Sequence, residues 1–224
     1  KEEEIYYVNG KKKVKMDDWL EFLGYYLSEG CCPVVKKGIS NLVDIRQNEG
    51  NTYNLIKNVI ERLGIKPNLY TGRNSRMSFC NHKFRAELSK FGKSGNKYIP
   101  DYVFELSVRQ INIFLMAIWK GDGNFKNNRF MVYTSKSKQL ADGIQILLLK
   151  VGLAGTVGIA KNRLIYRVSV SSRNLTPRVT KRSYREYYSG MVYDLTVPNH
   201  TLYVRRKGNA IWSGNCYGNP LVEP

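Results

Sequence analysis

The chain has 224 residues, with 36 Lys or Arg against 18 Asp or Glu, a net charge of +18. That excess calls for a polyanionic partner, nucleic acid before a membrane surface, and the 42% apolar content is enough to bury a core. No run of about 18 apolar residues marks a membrane span, and no signal-peptide pattern opens the sequence. The four cysteines include no CxxC pair and accompany only two histidines, which argues against a zinc site or disulfide framework and for a reducing, intracellular (cytoplasmic) setting.

In chain order, residues 1–16 read as a polar lead-in with a turn at Gly10. Residues 17–30 read as a helix, with Asp17 and Asp18 suiting its start and Trp19, Leu20, Leu23 and Leu27 at helical spacing. Residues 33–47 suggest a hairpin turning near Gly38, and residues 51–63 an amphipathic helix stopped by Gly64. Strands return over residues 69–80, with Arg73 and Arg76 about a turn at 72–75, and a short helix starts at Phe84. A second apolar helix carries Ile111, Phe114, Leu115 and Ile118. A strand at 130–134, a helix at 137–151 stopped by Gly152 and a strand pair at 156–171 turning near Asn162 follow. The order helix, strands, helix, strands occurs twice, an internal duplication.

Both long apolar helices end in an acid followed by glycine: Glu29-Gly30 and Asp122-Gly123, 93 residues apart (122 − 29). A helix C-terminus carries about −0.5 of an elementary charge and disfavours a carboxylate by up to ~1 kcal/mol. Two such tips brought together repel further. A divalent cation shared between them removes the penalty and brings Lewis-acid chemistry.

The stretches Phe22 to Gly30 and Leu115 to Gly123 resemble the paired motifs of the LAGLIDADG homing endonucleases. Gly24, Glu29 and Gly30 match the first copy, with Glu in place of the usual final Asp; Ala117, Asp122 and Gly123 match the second. Two copies in one chain resemble the monomeric, pseudo-twofold members. The resemblance implies an α+β fold of two pseudo-symmetric αββαββα halves with saddle-like antiparallel sheets on double-stranded DNA. It implies Glu29 and Asp122 as ligands of Mg²⁺. It also implies a cleavage-assisting role for Lys97 in Lys97-Tyr98-Ile99-Pro100, an element many intein endonucleases carry; Lys161 is the counterpart suggested in the second half.

Alternate residues of a strand share a face. The side chains expected to meet DNA are Arg46, Gln47, Arg73 and Arg76 in the first half, and Lys126, Arg129, Lys161, Arg163 and Arg167 in the second, with Tyr70, Tyr133 and Tyr166 interleaved. Arg and Gln can read base edges, whereas Lys mainly positions on phosphate.

The composition shifts near residue 175. Strand-like segments over residues 182–197 lead to a block running from Val192 through Asp194 and His200 to Val204, and then to Gly214-Asn215-Cys216. These resemble the two C-terminal blocks of an intein, which are part of a Hint (hedgehog/intein) all-β fold. The resemblance implies that Asn215 cyclises onto its own backbone carbonyl with acid–base help from His200. Cys216 then serves as the flanking thiol nucleophile, and Asp194 orients or protonates groups in the exchange. Two departures stand out: Gly214 occupies the usual penultimate His position, and the sequence carries no N-terminal Cys or Ser and no Thr three residues before a His. A separate N-terminal intein fragment is therefore the expected splicing partner.

The expected organisation is a lead-in at 1–16, an endonuclease domain at 17–174 (halves about 17–105 and 106–174), a splicing segment at 175–215, and flanking residues 216–224. Alternative readings are a splicing element whose endonuclease only binds DNA, or an RNA maturase-like nucleic-acid binder.

Overall fold

A computed structural model describes residues 1–34, 41–127, 129–160, 164–171, 187–191, 195 and 197–214, with Arg206 and Ile211 described by backbone alone. A hairpin of β1 (Ile5–Val8) and β2 (Lys12–Lys15) opens the chain. It turns at Asn9 and Gly10, both at positive φ (50° and 65°), the twist that matches paired strands. The first half then runs α1 (Met16–Glu29), β3 (Gly30–Cys31), β4 (Leu42–Arg46), α2 (Asn51–Arg62), β5 (Asn68–Tyr70), β6 (Arg76–Cys80) and α3 (His82–Leu88). The second runs α4 (Val108–Asp122), β7 (Gly123–Lys126), β8 (Arg129–Ser135), α5 (Lys138–Lys150), β9 (Ala154–Ile159) and β10 (Tyr166–Ser171). A final hairpin comprises β11 (Thr201–Arg206) and β12 (Asn209–Gly214).

The strands form antiparallel sheets in the orders β3-β4-β6-β5 and β11-β12-β9-β10-β8-β7. The helices end where expected, at Gly64 (φ 72°) and Gly152 (φ 79°). Two sequence expectations shift. The first hairpin begins at Gly30, directly after the acid, with Gly30 opposite Ile45; Gly38 lies outside the described residues. Strand β7, which the sequence reading passed over, occupies the same place after α4 and pairs with β8 across a bulge at Asn124/Phe125. Its polar residues gave no strand period, and the pairing to β8 is what fixes it.

Helices α1 and α4 form the spine and run parallel. At their starts, Asp17 accepts hydrogen bonds from Arg109 (2.6 Å) and Gln110 (3.1 Å). At the crossing, a Cβ on Gly24 would lie 2.7 Å from Ala117 Cβ and 2.8 Å from the backbone of Phe114 and Ile118. One turn further, a Cβ on Gly121 would overlap Ser28. The offset of 93 residues maps Gly24 onto Ala117 and Ser28 onto Gly121, so the crossing is built from two symmetry-related small-residue pairs. An aromatic core flanks it: Trp19, Phe22, Phe79 and Phe84 in the first half, Trp119, Phe130 and Tyr133 in the second.

The described part of the C-terminal segment is not a separate β body. The β11–β12 hairpin continues the second sheet along the edge of β9: Asn209 pairs with Thr156, Val157 N–H donates to Gly208 O (2.9 Å), and Gln145 Nε2 donates to the same oxygen (2.7 Å). Arg205 pairs with Asp142 of α5 at 2.8 Å. Most of the strands expected over residues 182–197 fall outside the described residues.

Gly24→Ala forces the crossing apart against backbone atoms. The expected loss is about 1–3 kcal/mol of unfolding free energy, read as a lower denaturant midpoint.

Candidate active site

The parallel spine brings the two acidic tips together. Gly30 N–H caps Tyr26 O and Gly123 N–H caps Trp119 O. Both glycines have extended backbones, with φ −85° and −100°, so their small size answers a packing demand and not a left-handed one. A Cβ on Gly30 would overlap the Tyr26 ring, and one on Gly123 the Trp119 ring. Each motif thus folds the aromatic residue three before its acid back over the glycine after it.

Glu29 and Asp122 meet at the joined tips. Burial, then the neighbouring Asp122 carboxylate, push the Glu29 carboxyl up to about 7, and burial raises Asp122 as well. The two carboxyls titrate together as a dyad, and Glu29 takes up a proton below about pH 7. Beneath it the Tyr133 side chain is fully buried, its phenol pushed far above its usual range by that burial. Tyr133 pairs with Val168 on the inner face of the second sheet, so it supports the acids from below and takes no part in the outer polar face expected for it.

Lys97 lies at the first tip and is 5% exposed. Its Nζ donates to Tyr26 O (2.8 Å), Leu27 O (3.0 Å) and Gly30 O (2.7 Å). An ammonium has three donors, and they go to two last-turn carbonyls of α1 and to that of the capping Gly30. Lys97 therefore neutralises the negative end of that helix beside the acids. Burial depresses it to about 8, opposed by nearby Cys31, Asp122 and Glu29. Ser137 Oγ donates to Lys97 O (2.5 Å), which anchors the lysine loop to the start of α5.

Two clefts flank the dyad. The larger, about 480 Å³, is lined by Glu29, Arg46, Gln47, Arg73, Asn74 and Arg76. The smaller, about 220 Å³, is lined by Asp122, Lys97, Ser94, Tyr133, Ser135 and Lys136. All four residues expected to contact DNA from the first half thus gather beside Glu29. In the second half Lys126 pairs across strands with Arg129, and Arg167 with Thr134, all exposed. Lys161, Arg163, Asp194, Asn215 and Cys216 lie outside the described residues. His200 stands at φ 50° just before Thr201, which pairs with Gly214.

Lys136 was not singled out from the sequence. It directly follows β8 and precedes the helix cap Ser137, as Gln47 directly follows β4. That strand-to-helix junction, repeated in each half, is the signal that finds it.

The donor set fits a hard divalent cation. Two carboxylates that repel one another, Glu29 half-buried and Asp122 more exposed, suit Mg²⁺, which takes one or two protein carboxylates and completes its shell with water and phosphate oxygens. Among the described residues no cluster of three or more His, Cys, Asp or Glu side chains forms a closed metal site.

A carboxyl raised from 4.5 to about 7 holds a proton in the folded state that the unfolded chain has already lost. Its contribution to stability is therefore full below about pH 4.5 and lost as pH rises through 7. In chelator, Tm is expected to fall across this window by at least about 2–4 °C, and Glu29→Gln to flatten the slope, as read by calorimetric scans. Lys97→Met leaves three carbonyls without their donor. It is expected to cost about 2–3 kcal/mol in denaturant unfolding.

Residues 109–187 match the LAGLIDADG-like domain family. The chain is 31% identical over 171 residues to the DNA-directed RNA polymerase subunit Rpo1C of Methanocaldococcus jannaschii, an alignment covering 70% of this chain and 19% of that protein. It is 24% identical over 267 positions to a DNA-directed RNA polymerase subunit beta C-terminal section of Stigeoclonium helveticum, covering 92% of this chain and 24% of that protein. A third relative is a DNA polymerase of Thermococcus aggregans, 27% identical over 184 residues, covering 79% of this chain and 10% of that protein. The chain thus spans about a quarter or less of these curated relatives. Among solved structures, mesophilic variants of the homing endonuclease I-DmoI superpose with a TM-score of 0.56 at 15% identity, over 71% of this chain and 90% of theirs. I-DmoI in complex with DNA and Mn superposes with a TM-score of 0.55 at 15% identity, over 71% of this chain and 92% of that one. Residues 109–187 are therefore similar to a LAGLIDADG-like domain, and the chain shares the fold of I-DmoI.

Proposed function

We propose that residues 17–174 are a site-specific, Mg²⁺-dependent DNA endonuclease acting as a monomer, and that residues 175–215 are the C-terminal splicing segment of an intein, with 216–224 as flanking residues. The observation that carries the nuclease reading is the meeting of Glu29 and Asp122 at paired helix tips, with an arginine cleft beside them. Glu29 and Asp122 would hold the cation, which when bound supplies Lewis-acid polarisation of the scissile phosphate and a more acidic attacking water. Lys97 fixes the first tip and keeps Glu29 aimed. The exposed Arg and Lys of both sheets clamp the duplex and neutralise phosphate. Double-stranded DNA is the reading favoured over an RNA maturase-like role because two acids at a shared site serve hydrolysis of two strands, whereas RNA binding alone needs neither. The polymerase relatives agree with an intein setting, since the match covers only about a quarter or less of each.

For the tail, the Asn215 side-chain nitrogen attacks its own main-chain carbonyl. The bond to Cys216 breaks, and His200 protonates the departing amine. Cys216 is the acyl acceptor and Asp194 its helper. The Thr201–Gly214 pairing supports this by bringing His200 to the hairpin end from which the sequence runs on to Asn215. The acyl shift at the other junction requires an N-terminal splicing segment.

Incubation with a randomised duplex library in Mg²⁺ is expected to yield cuts within one long consensus. Chelator or the double variant Glu29→Gln, Asp122→Asn is expected to abolish them. Retention of DNA without cuts would support the alternative of a splicing element whose endonuclease only binds. Intact mass after mixing with an N-terminal intein fragment tests the tail: a ligated flanking product is expected, and none forms if the splicing reading is wrong.

A further inference from the structure

The first sheet presents an unusual row. Arg46 of β4 stands directly opposite Arg76 of β6, which stands opposite Tyr70 of β5. Like charges directly opposite across strands are destabilising, so the row is built for a ligand and not for the free fold. Among the described residues no carboxylate forms an ion pair with Arg46, Arg73 or Arg76, whereas Arg62, Arg109 and Arg205 are each paired. The nearest acid of the turn, Glu49, is committed to backbone instead: it accepts from Gly72 N–H (2.7 Å) and so shapes the loop that carries Arg73. Three unpaired guanidinium groups therefore converge on one cleft of about 480 Å³.

The three are not equivalent. Arg46 and Arg76 project from paired strand positions. Arg76 is stacked over the Tyr70 ring at 4.5 Å, which sets the plane of its fork before any ligand arrives. Arg73 sits in the exposed turn between β5 and β6, where no strand pairing fixes it. A planar, pre-oriented fork suits the O6 and N7 acceptors of guanine in a major groove, while an exposed guanidinium on a turn suits phosphate.

We propose that Arg46 and Arg76 read guanines in two adjacent base pairs of the half-site held by the first sheet, beside the phosphate facing Glu29, and that Arg73 holds backbone phosphate. Side chains opposite one another on a sheet have Cβ atoms about 5 Å apart, between one and two base-pair steps of about 3.4 Å, which the long arginine side chains can bring onto neighbouring base pairs. This rests on the DNA reading above and adds the identity of the bases.

The test is selection of bound duplexes from a randomised library in Ca²⁺, with the intact chain and with Arg46→Ala, Arg76→Ala, Arg46→Lys, Arg76→Lys and Arg73→Ala. Two adjacent guanines are expected in the wild-type consensus. Each Ala or Lys change at Arg46 or Arg76 is expected to erase preference at one of them. Lys retains the charge without the fork, so its salt dependence stays near wild type. Replacing the selected guanine by 7-deazaguanine is expected to weaken wild-type binding roughly 5- to 100-fold and the matching Ala variant hardly at all. Arg73→Ala is expected to weaken all sequences alike and lower the salt slope by about one. If Arg46→Ala and Arg76→Ala keep the consensus and behave like Arg73→Ala, the two arginines hold phosphate and the assignment is overturned. Binding with no consensus also overturns it while leaving DNA binding intact; no DNA binding at all defeats the nuclease reading itself.

Discussion

The close parallel crossing of α1 and α4 is the constraint on which the rest depends. Its contact surface is backbone against backbone, permitted by Gly24, Ala117 and Gly121. Because the helices run parallel, their N-termini lock through Asp17, Arg109 and Gln110, and their negative C-terminal ends are forced into one place. An arrangement of that kind accumulates unfavourable charge: two helix dipoles and two carboxylates. The chain offsets part of it with the buried ammonium of Lys97 across three carbonyls, and another part by holding a proton on the dyad. What remains is uncompensated negative charge at the joined tips.

Around this spine the duplication is consistent in backbone and divergent in side chains. Each motif covers its last glycine with an aromatic ring, yet one ring is Tyr26 and the other Trp119. The first tip carries Lys97, and the second lies over Tyr133. The cleft beside Glu29 holds three arginines, while that beside Asp122 is smaller and lined by lysines and hydroxyls. A single chain with two such unlike halves suits an asymmetric target, since each sheet is free to meet a different half-site.

The sequence made the helices, their glycine stops and the twofold repeat legible, because apolar spacing and helix ends are local. It also located Glu29 and Asp122, whose convergence follows from two motifs sharing one pattern. Three features were not legible. Strand β7 has no apolar period and exists through its pairing to β8. The buried support role of Tyr133 depends on which face of β8 it occupies, and a bulge at Asn124/Phe125 intervenes in that sheet. The donors of Lys97 are spent on carbonyls 67 to 71 residues earlier in the chain, a long-range contact that spacing does not encode. The C-terminal region is β-rich, as the resemblance led one to expect, but the hairpin at 201–214 lies beyond the strands read over residues 182–197, and its docking on β9 rests on Gly208, whose oxygen serves two donors and whose Cβ position would overlap Val157.

The most direct measurement of the central claim is calorimetric titration of Mg²⁺ into the chain at pH 6 and pH 8, in buffers of different ionisation enthalpy. With the Glu29 carboxyl raised to about 7, binding is expected to release close to one proton at pH 6 and almost none at pH 8, and to be tighter at pH 8. Glu29→Gln should abolish the proton release and weaken binding. Absence of cation binding, or binding unchanged in that variant, would contradict a cation site built from the two helix tips.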